Sequence, residues 1–314
     1  MAIELKYKTV NPGDTATFDF SSDDGGDHTV QAYAVGIAFF ELSYGDTDHH
    51  VQTASVSLST NKPDATTVTA KVSAKLKDNS GHNLKKSDSS VTVCCIAVTG
   101  AADPNTVLNN QYGILSGSQS AGIALPSSNP QVLQAFLSGF DLSFGSNSDH
   151  HMQGADAVAG SSLNGSTAYI TSEANMWDNS GHNASTATID GGLIAQTTES
   201  GIVIKVKSDE QTSNPVDVDM GQPIDKAVVL LLSWTMQFDS GDHHVKKMLA
   251  GCSDWDITGD NNDTVTLDFA HAHLKDNSGN DQNNNKSDVS LVIIGTIPDA
   301  GEESPPSLER PRRR

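Results

Sequence analysis

Carboxylates, amides and imidazoles are concentrated in two short motifs that recur together three times along this chain. An Asp-His-His triplet occurs as Asp48-His49-His50, Asp149-His150-His151 and Asp242-His243-His244. An Asp-Asn-Ser-Gly tetrapeptide follows each, opening with Asp78-Asn79, Asp178-Asn179 and Asp276-Asn277 at spacings of 30, 29 and 34 residues. His82 and His182 follow the first two tetrapeptides, whereas Asn280 follows the third. All eleven histidines fall in or beside these motifs or a partial copy around His28. A fixed period of this kind marks tandem copies of one supersecondary unit.

Three chemistries fit the residues. Imidazole with carboxylate suits zinc and its neighbours, and His49 with His82, or His150 with His182, beside Asp48 or Asp149, is the candidate set. In the third copy His271 and His273, two apart on one strand face, are the substitutes for the missing histidine. Loop Asp and Asn oxygens also suit calcium. No cofactor is required on this reading, and a divalent cation, calcium or zinc, is the one candidate. The architectural alternative is turn formation, because Asp accepts neighbouring backbone N–H groups and Gly takes positive φ. Catalysis is the least supported class. No nucleophile elbow, phosphate-binding glycine loop or zinc-protease helix motif occurs, and a metal-dependent hydrolase would leave three copies unexplained.

The elements that position these residues read as strands. In the third copy Ala227 to Phe238 is rich in β-formers, and Thr264 to Leu274 alternates apolar and polar residues, the period of a half-buried strand. The first two copies follow the same plan. Four strands per copy, A to D, place the A–B turn (Asp-His-His) and the C–D loop (Asp-Asn-Ser-Gly) at one end. The expected fold is all-β: three tandem antiparallel β-sandwich-like repeats of about four strands, with an N-terminal partial repeat acting as cap. The boundaries follow: cap 1–30, repeats 31–100, 131–207 and 225–300, linkers 101–130 and 208–224, and a disordered basic tail at 301–314.

Composition narrows the function. A net charge of −20, with 31 Asp and 8 Glu, argues against nucleic-acid binding, which needs cations to displace phosphate counterions. Three cysteines are too few for a disulfide framework. No run is long enough to span a bilayer as a helix. The opening residues lack an apolar signal region, which predicts cytoplasmic synthesis, with release into an extracellular or virion-like assembly as the alternative. The sequence therefore reads as a non-catalytic, multivalent recognition or assembly protein. Its ligand-binding residues would be Asp48, His49, His50, Asp78, Asn79 and His82, with Asp149, His150, His151, Asp178, Asn179 and His182 in the second copy, and Asp242, His243, His244, Asp276 and Asn277 in the third. The partner would be a glycan, a protein or an identical subunit in an oligomer. A lectin-like or metal-binding protein is the alternative. Tyr44, Phe144, Trp177 and Trp255 near the motifs would supply a sugar platform or else pack into the core, and imidazole titration would weaken association between about pH 7 and 5.

Overall fold

The computed structural model of the chain describes residues 1–23, 25–146, 148–198, 201–211, 214–239, 241–281 and 286–298. The tail at 301–314, expected to be disordered, lies outside them. The first unit supplies β1 (Ala2–Val10), β2 (Thr15–Asp19), β3 (Val30–Ser43), β4 (Thr53–Asn61), β5 (Thr67–Lys77) and β6 (Ser90–Thr99). The second supplies β7 (Thr106–Leu115), β8 (Ile123–Ala124), β9 (Val132–Ser143), β10 (Gly154–Asn164), β11 (Thr167–Trp177) and β12 (Thr186–Gln196). The third supplies β13 (Ile202–Glu210), β14 (Val216–Asp219), β15 (Lys226–Gln237), β16 (Lys247–Cys252), β17 (Trp255–Thr258), β18 (Thr264–Leu267), β19 (Ala270–Lys275) and β20 (Asp288–Thr296). The fold is all-β. Among the described residues the only other regular element is a 3-10 turn at Lys86–Asp88, and no helix is long and apolar enough to cross a membrane.

Strand order is where the structure departs from a row of self-contained repeats. The three large sheets run β1-β6-β3-β16-β19, β2-β5-β4-β9-β12-β7 and β13-β20-β15-β10-β11-β8. Each joins the A and D strands of one unit to the B and C strands of the preceding unit, and unit one pairs with unit three to close the ring. Within a unit the A/D layer packs on the B/C layer, as β9 and β12 do on β10 and β11. The four strands of a unit therefore belong to two sheets. The junctions are antiparallel pairings of B with the next A: Thr53↔Ser143 to Val56↔Phe140, Gly154↔Gln237 to Val158↔Ser233, and Lys247↔Ser43 to Gly251↔Phe39.

The expected linkers also need correction. Residues 101–130 carry β7 and β8, and 208–224 carry β14. The second repeat's expected span to residue 207 takes in β13, which hydrogen-bonds to β20 in the third unit. β1, β7 and β13 each edge a D strand, while β2 and β8 edge the C strands β5 and β11. The N-terminal cap thus has a full counterpart in the second unit, β7 with β8, and a partial one in the third, β13, and the unit is longer than the four-strand repeat by these strands. Such strands cover sheet edges that would otherwise present unpaired backbone groups. The third unit deviates, because β14 joins β17 and β18 in a separate small sheet.

The A strands β3, β9 and β15 touch one another at the centre. Their central position, covered on both faces, explains why β3 is a nearly continuous apolar run, whereas β5 alternates with one face in solvent. Phe40, Phe140 and Trp234, one from each A strand, interlock at centroid distances of 4.9, 5.4 and 5.0 Å and are at most 2% exposed. One extra residue (Ala38, Ser138 and Leu232) interrupts each A–D register at equivalent places. Such bulges bend a strand and increase its twist.

Candidate functional site

Each Asp-Asn-Ser-Gly segment folds round its own aspartate. Asp78 Oδ1 accepts the N–H groups of Ser80 and His82 at 2.9 and 2.8 Å, and Asp78 N–H donates to the His82 carbonyl at 3.2 Å. Asp178 and Asp276 repeat the pattern with Ser180 and His182, and with Ser278 and Asn280. Gly81, Gly181 and Gly279 take φ of 102°, 94° and 94°, which only glycine adopts without steric cost. The carboxylates are buried while the Asn-Ser-Gly tips are exposed. Burial pushes the Asp78 carboxyl up, but hydrogen bonds from the His82 ring and from the His82 and Ser80 N–H groups outweigh it and hold the group below its ordinary value. Asp178 and Asp276 are held low by the same balance.

The residue four places on completes the loop. His82 Nδ1 and His182 Nδ1 lie 2.5 Å from Asp78 Oδ2 and Asp178 Oδ2. In the third copy the Asn280 side-chain N–H donates to Asp276 Oδ2 at the same 2.5 Å. An amide nitrogen is a donor with no lone pair to give a metal, so the position is filled by what imidazole and amide share. His82 and His182 serve here as hydrogen-bond donors. His271 and His273 lie on β19 away from this position; His273 faces Asp281 at 3.1 Å, and burial, with neighbouring His273 adding to it, pushes the His271 imidazole below its ordinary value.

The three residues of each triplet do three separate jobs. The aspartate reaches into the preceding unit: Asp149 accepts Asn79 N–H at 3.0 Å, Asp242 accepts Asn179 N–H at 3.4 Å, and Asp48 accepts Asn277 N–H at 3.0 Å. The two motifs meet at one end, as strand alternation requires, but this contact is between units. The first histidine faces its own unit's loop, with His49, His150 and His243 Nδ1 at 3.8, 3.1 and 3.6 Å from Asp78, Asp178 and Asp276. These rings pack on Tyr44, Phe144 and Phe238 at 4.9, 4.7 and 4.8 Å. The second histidines, His50, His151 and His244, converge on one another at centroid distances of 4.6, 4.7 and 4.5 Å. Reciprocal backbone bonds between His49 and Val245, Val51 and His150, and Met152 and His243 tie the three corners together.

Two metal-type groupings, His49-Asp78-His82 and His150-Asp178-His182, bring together the expected histidines, with the loop aspartate in place of Asp48 or Asp149. A third, His50-His151-His244, was not legible because its members come from three units. Also missed were Thr47 and Ser148, whose hydroxyls lie 2.9 and 2.7 Å from His49 and His150 Nε2. The suggested sugar-platform aromatics are mostly internal: Tyr44, Phe144 and Trp255 are 7%, 6% and 5% exposed, and the Trp255 indole N–H donates to the Ala227 carbonyl. His28, in the partial copy, pairs with Glu4 and takes no part in this cluster. Comparison with protein-family models gives no match, and comparison with curated proteins gives none either.

Proposed function

We propose that the chain is a non-catalytic recognition or assembly protein presenting one composite polar face. The observation that carries this reading is the gathering of three equivalent exposed loop tips, Asn79–Asn83, Asn179–Asn183 and Asn277–Asp281, round one set of interlocked corners. The Asp and His groups are largely consumed in shaping that face. Contact with a partner then falls to the exposed amides, hydroxyls and backbone of the tips, a surface suited to a glycan or to a polar protein surface, including a second copy of the chain. Three similar contacts on one rigid face give avidity, since a second and third contact form at high effective concentration. Thr47 and Ser148 set hydroxyls against His49 and His150 Nε2, but Gly241 stands at the corresponding place in the third copy, so a hydroxyl–imidazole pair is not what the three tips share.

The test is a glycan-array and sedimentation screen of the full chain, followed by Asn79→Ala, Asn179→Ala and Asn277→Ala singly and combined. Stepwise weakening of the detected association supports the reading. Association unchanged in the triple variant, or a turnover lost at one position alone, overturns it.

A further inference from the structure

We infer that His50, His151 and His244 form a single binding site for a divalent first-row transition ion, of the zinc class, on the axis where the three units meet. This inference stands on the axial geometry and not on the recognition reading above. Each unit supplies one imidazole, and one nitrogen from each ring can be chosen so that all three lie within 4.8 Å of one another. A tetrahedral zinc–imidazole set needs nitrogens roughly 3.3 Å apart, from bond lengths of about 2.0–2.1 Å. Small side-chain rotations close that difference, and the rings have room to make them, with side-chain exposures of 40%, 44% and 41%. Their backbones are fixed by the reciprocal hydrogen bonds at the adjoining residues, and Tyr44 donates its hydroxyl to the His50 carbonyl at 3.0 Å.

The surroundings supply what an imidazole metal site needs beyond its ligands. On the Nδ1 side of each ring stands a carboxylate from the next corner: Asp149 at 3.7 Å from His50, Asp242 at 3.8 Å from His151, and Asp48 at 3.8 Å from His244. These separations are longer than hydrogen bonds, but a ring that turns to bind brings its Nδ1–H within reach of the carboxylate, and such a bond would fix the ring, raise its basicity and leave Nε2 for the ion. Three negative charges round three imidazoles also favour a dication electrostatically. All-nitrogen donors select zinc, nickel, cobalt or copper over calcium or magnesium. The contrast with the first histidines is informative. His49 and His150 have a hydroxyl partner at Nε2, whereas among the described residues no hydrogen bond engages the side chains of His50, His151 or His244. The cysteines do not compete, because Cys94, Cys95 and Cys252 are fully buried. Three protein ligands leave a fourth position open toward solvent, and the ion would join three units distant in sequence.

The full chain, without a polyhistidine tag and stripped with chelator, is titrated with zinc or nickel against a chromophoric competitor, and with cobalt(II) followed by its visible absorption. One ion per chain is expected, together with the intense bands of a four-coordinate cobalt site and a rise in Tm on zinc addition. His50→Ala, His151→Ala and His244→Ala should each weaken binding by on the order of 100-fold, and Asp149→Asn by roughly 10-fold. His82→Ala and His273→Ala should stay within a few fold of the parent. X-ray absorption of the zinc-loaded parent gives a ligand count that does not depend on the folding of a corner variant. Three imidazoles support the site. Fewer than three, absence of binding, or binding unchanged in all three axial variants overturns it.

Discussion

The loop position occupied by His82, His182 and Asn280 offers a direct test of what that position does. The perturbation is His82→Asn against His82→Ala, with chelator present throughout. The His82 ring lies 2.5 Å from a carboxylate whose side chain is only 4% exposed, while the ring itself is 53% exposed. A hydrogen bond to a charged group contributes ~1.5–3 kcal/mol. Water replaces part of it at so exposed a ring, which leaves about 1–2 kcal/mol. Stacking on His49, at 3.8 Å and 19°, adds about 0.5 kcal/mol. Alanine loses both, about 1.5–2.5 kcal/mol, whereas asparagine keeps the bond, as Asn280 does, and loses only about 0.5 kcal/mol. With an unfolding entropy near 2.1 cal/mol/K per residue, these become Tm decreases of about 2–4 °C and under about 1 °C. The reverse change, Asn280→His, should leave Tm within about 1 °C of the parent. Scanning calorimetry with urea titration reads all three. If His82→Asn destabilises as much as His82→Ala, the amide does not replace the ring, and the donor role assigned here is wrong.

Four further outcomes follow from the same structure. Asp78, Asp178 and Asp276 have folded-state pKa values below their ordinary ones, so their stabilisation is complete above about pH 4 and lost as pH falls through the folded values; acid titration followed by circular dichroism should show a shallower decline below pH 4 in the triple Asp→Asn variant, and an unchanged slope counts against the assignment. Burial is the main cause that raises Asp156 to about 6, with Glu173 adding to it; Asp156→Asn should therefore raise Tm at pH 7.5 by about 1.5–3 °C, equivalent to about 1–2 kcal/mol after solvent screening, and by almost nothing at pH 4. Trp234 is fully buried with its indole N–H unpartnered; Trp234→Phe, which copies Phe40 and Phe140, should cost under about 1.5 kcal/mol in urea unfolding and Trp234→Ala about 3–5. Asp149→Ala and Asp48→Ala each remove a 3.0 Å inter-unit bond and should each cost about 1–2 kcal/mol, more than Asp242→Ala, whose bond is 3.4 Å; the reverse ranking would show that these bonds do not hold the ring closed.

Local sequence determined the strands, the turns and the end of the molecule at which the motifs meet. Alternation in Thr67–Lys77 and the apolar run of Val30–Ser43 specify strands because side-chain direction has period two and burial follows it. The Asp78 turn is equally local, since its acceptor, its N–H donors and its glycine lie within four residues. The edge strands were harder to read. β8 is only two residues long, and β7 includes Asn109, Asn110 and Gln111, so neither shows a clear alternating pattern. The spacing between successive triplets, longer than four strands need, was the one available signal. Only the tertiary structure decided which strand pairs with which. Alternation gives a strand its face but not its partner, and three similar units offer the same pairing surface within a unit and to a neighbour. Closure of the ring chose the neighbour, because pairing B with the next A leaves no open sheet edge between units. That choice also separated the adjacent histidines. His49 turns to its own loop and His50 to the axis, since neighbouring residues on an extended chain point opposite ways, and an axis shared by three units is written in none of them alone.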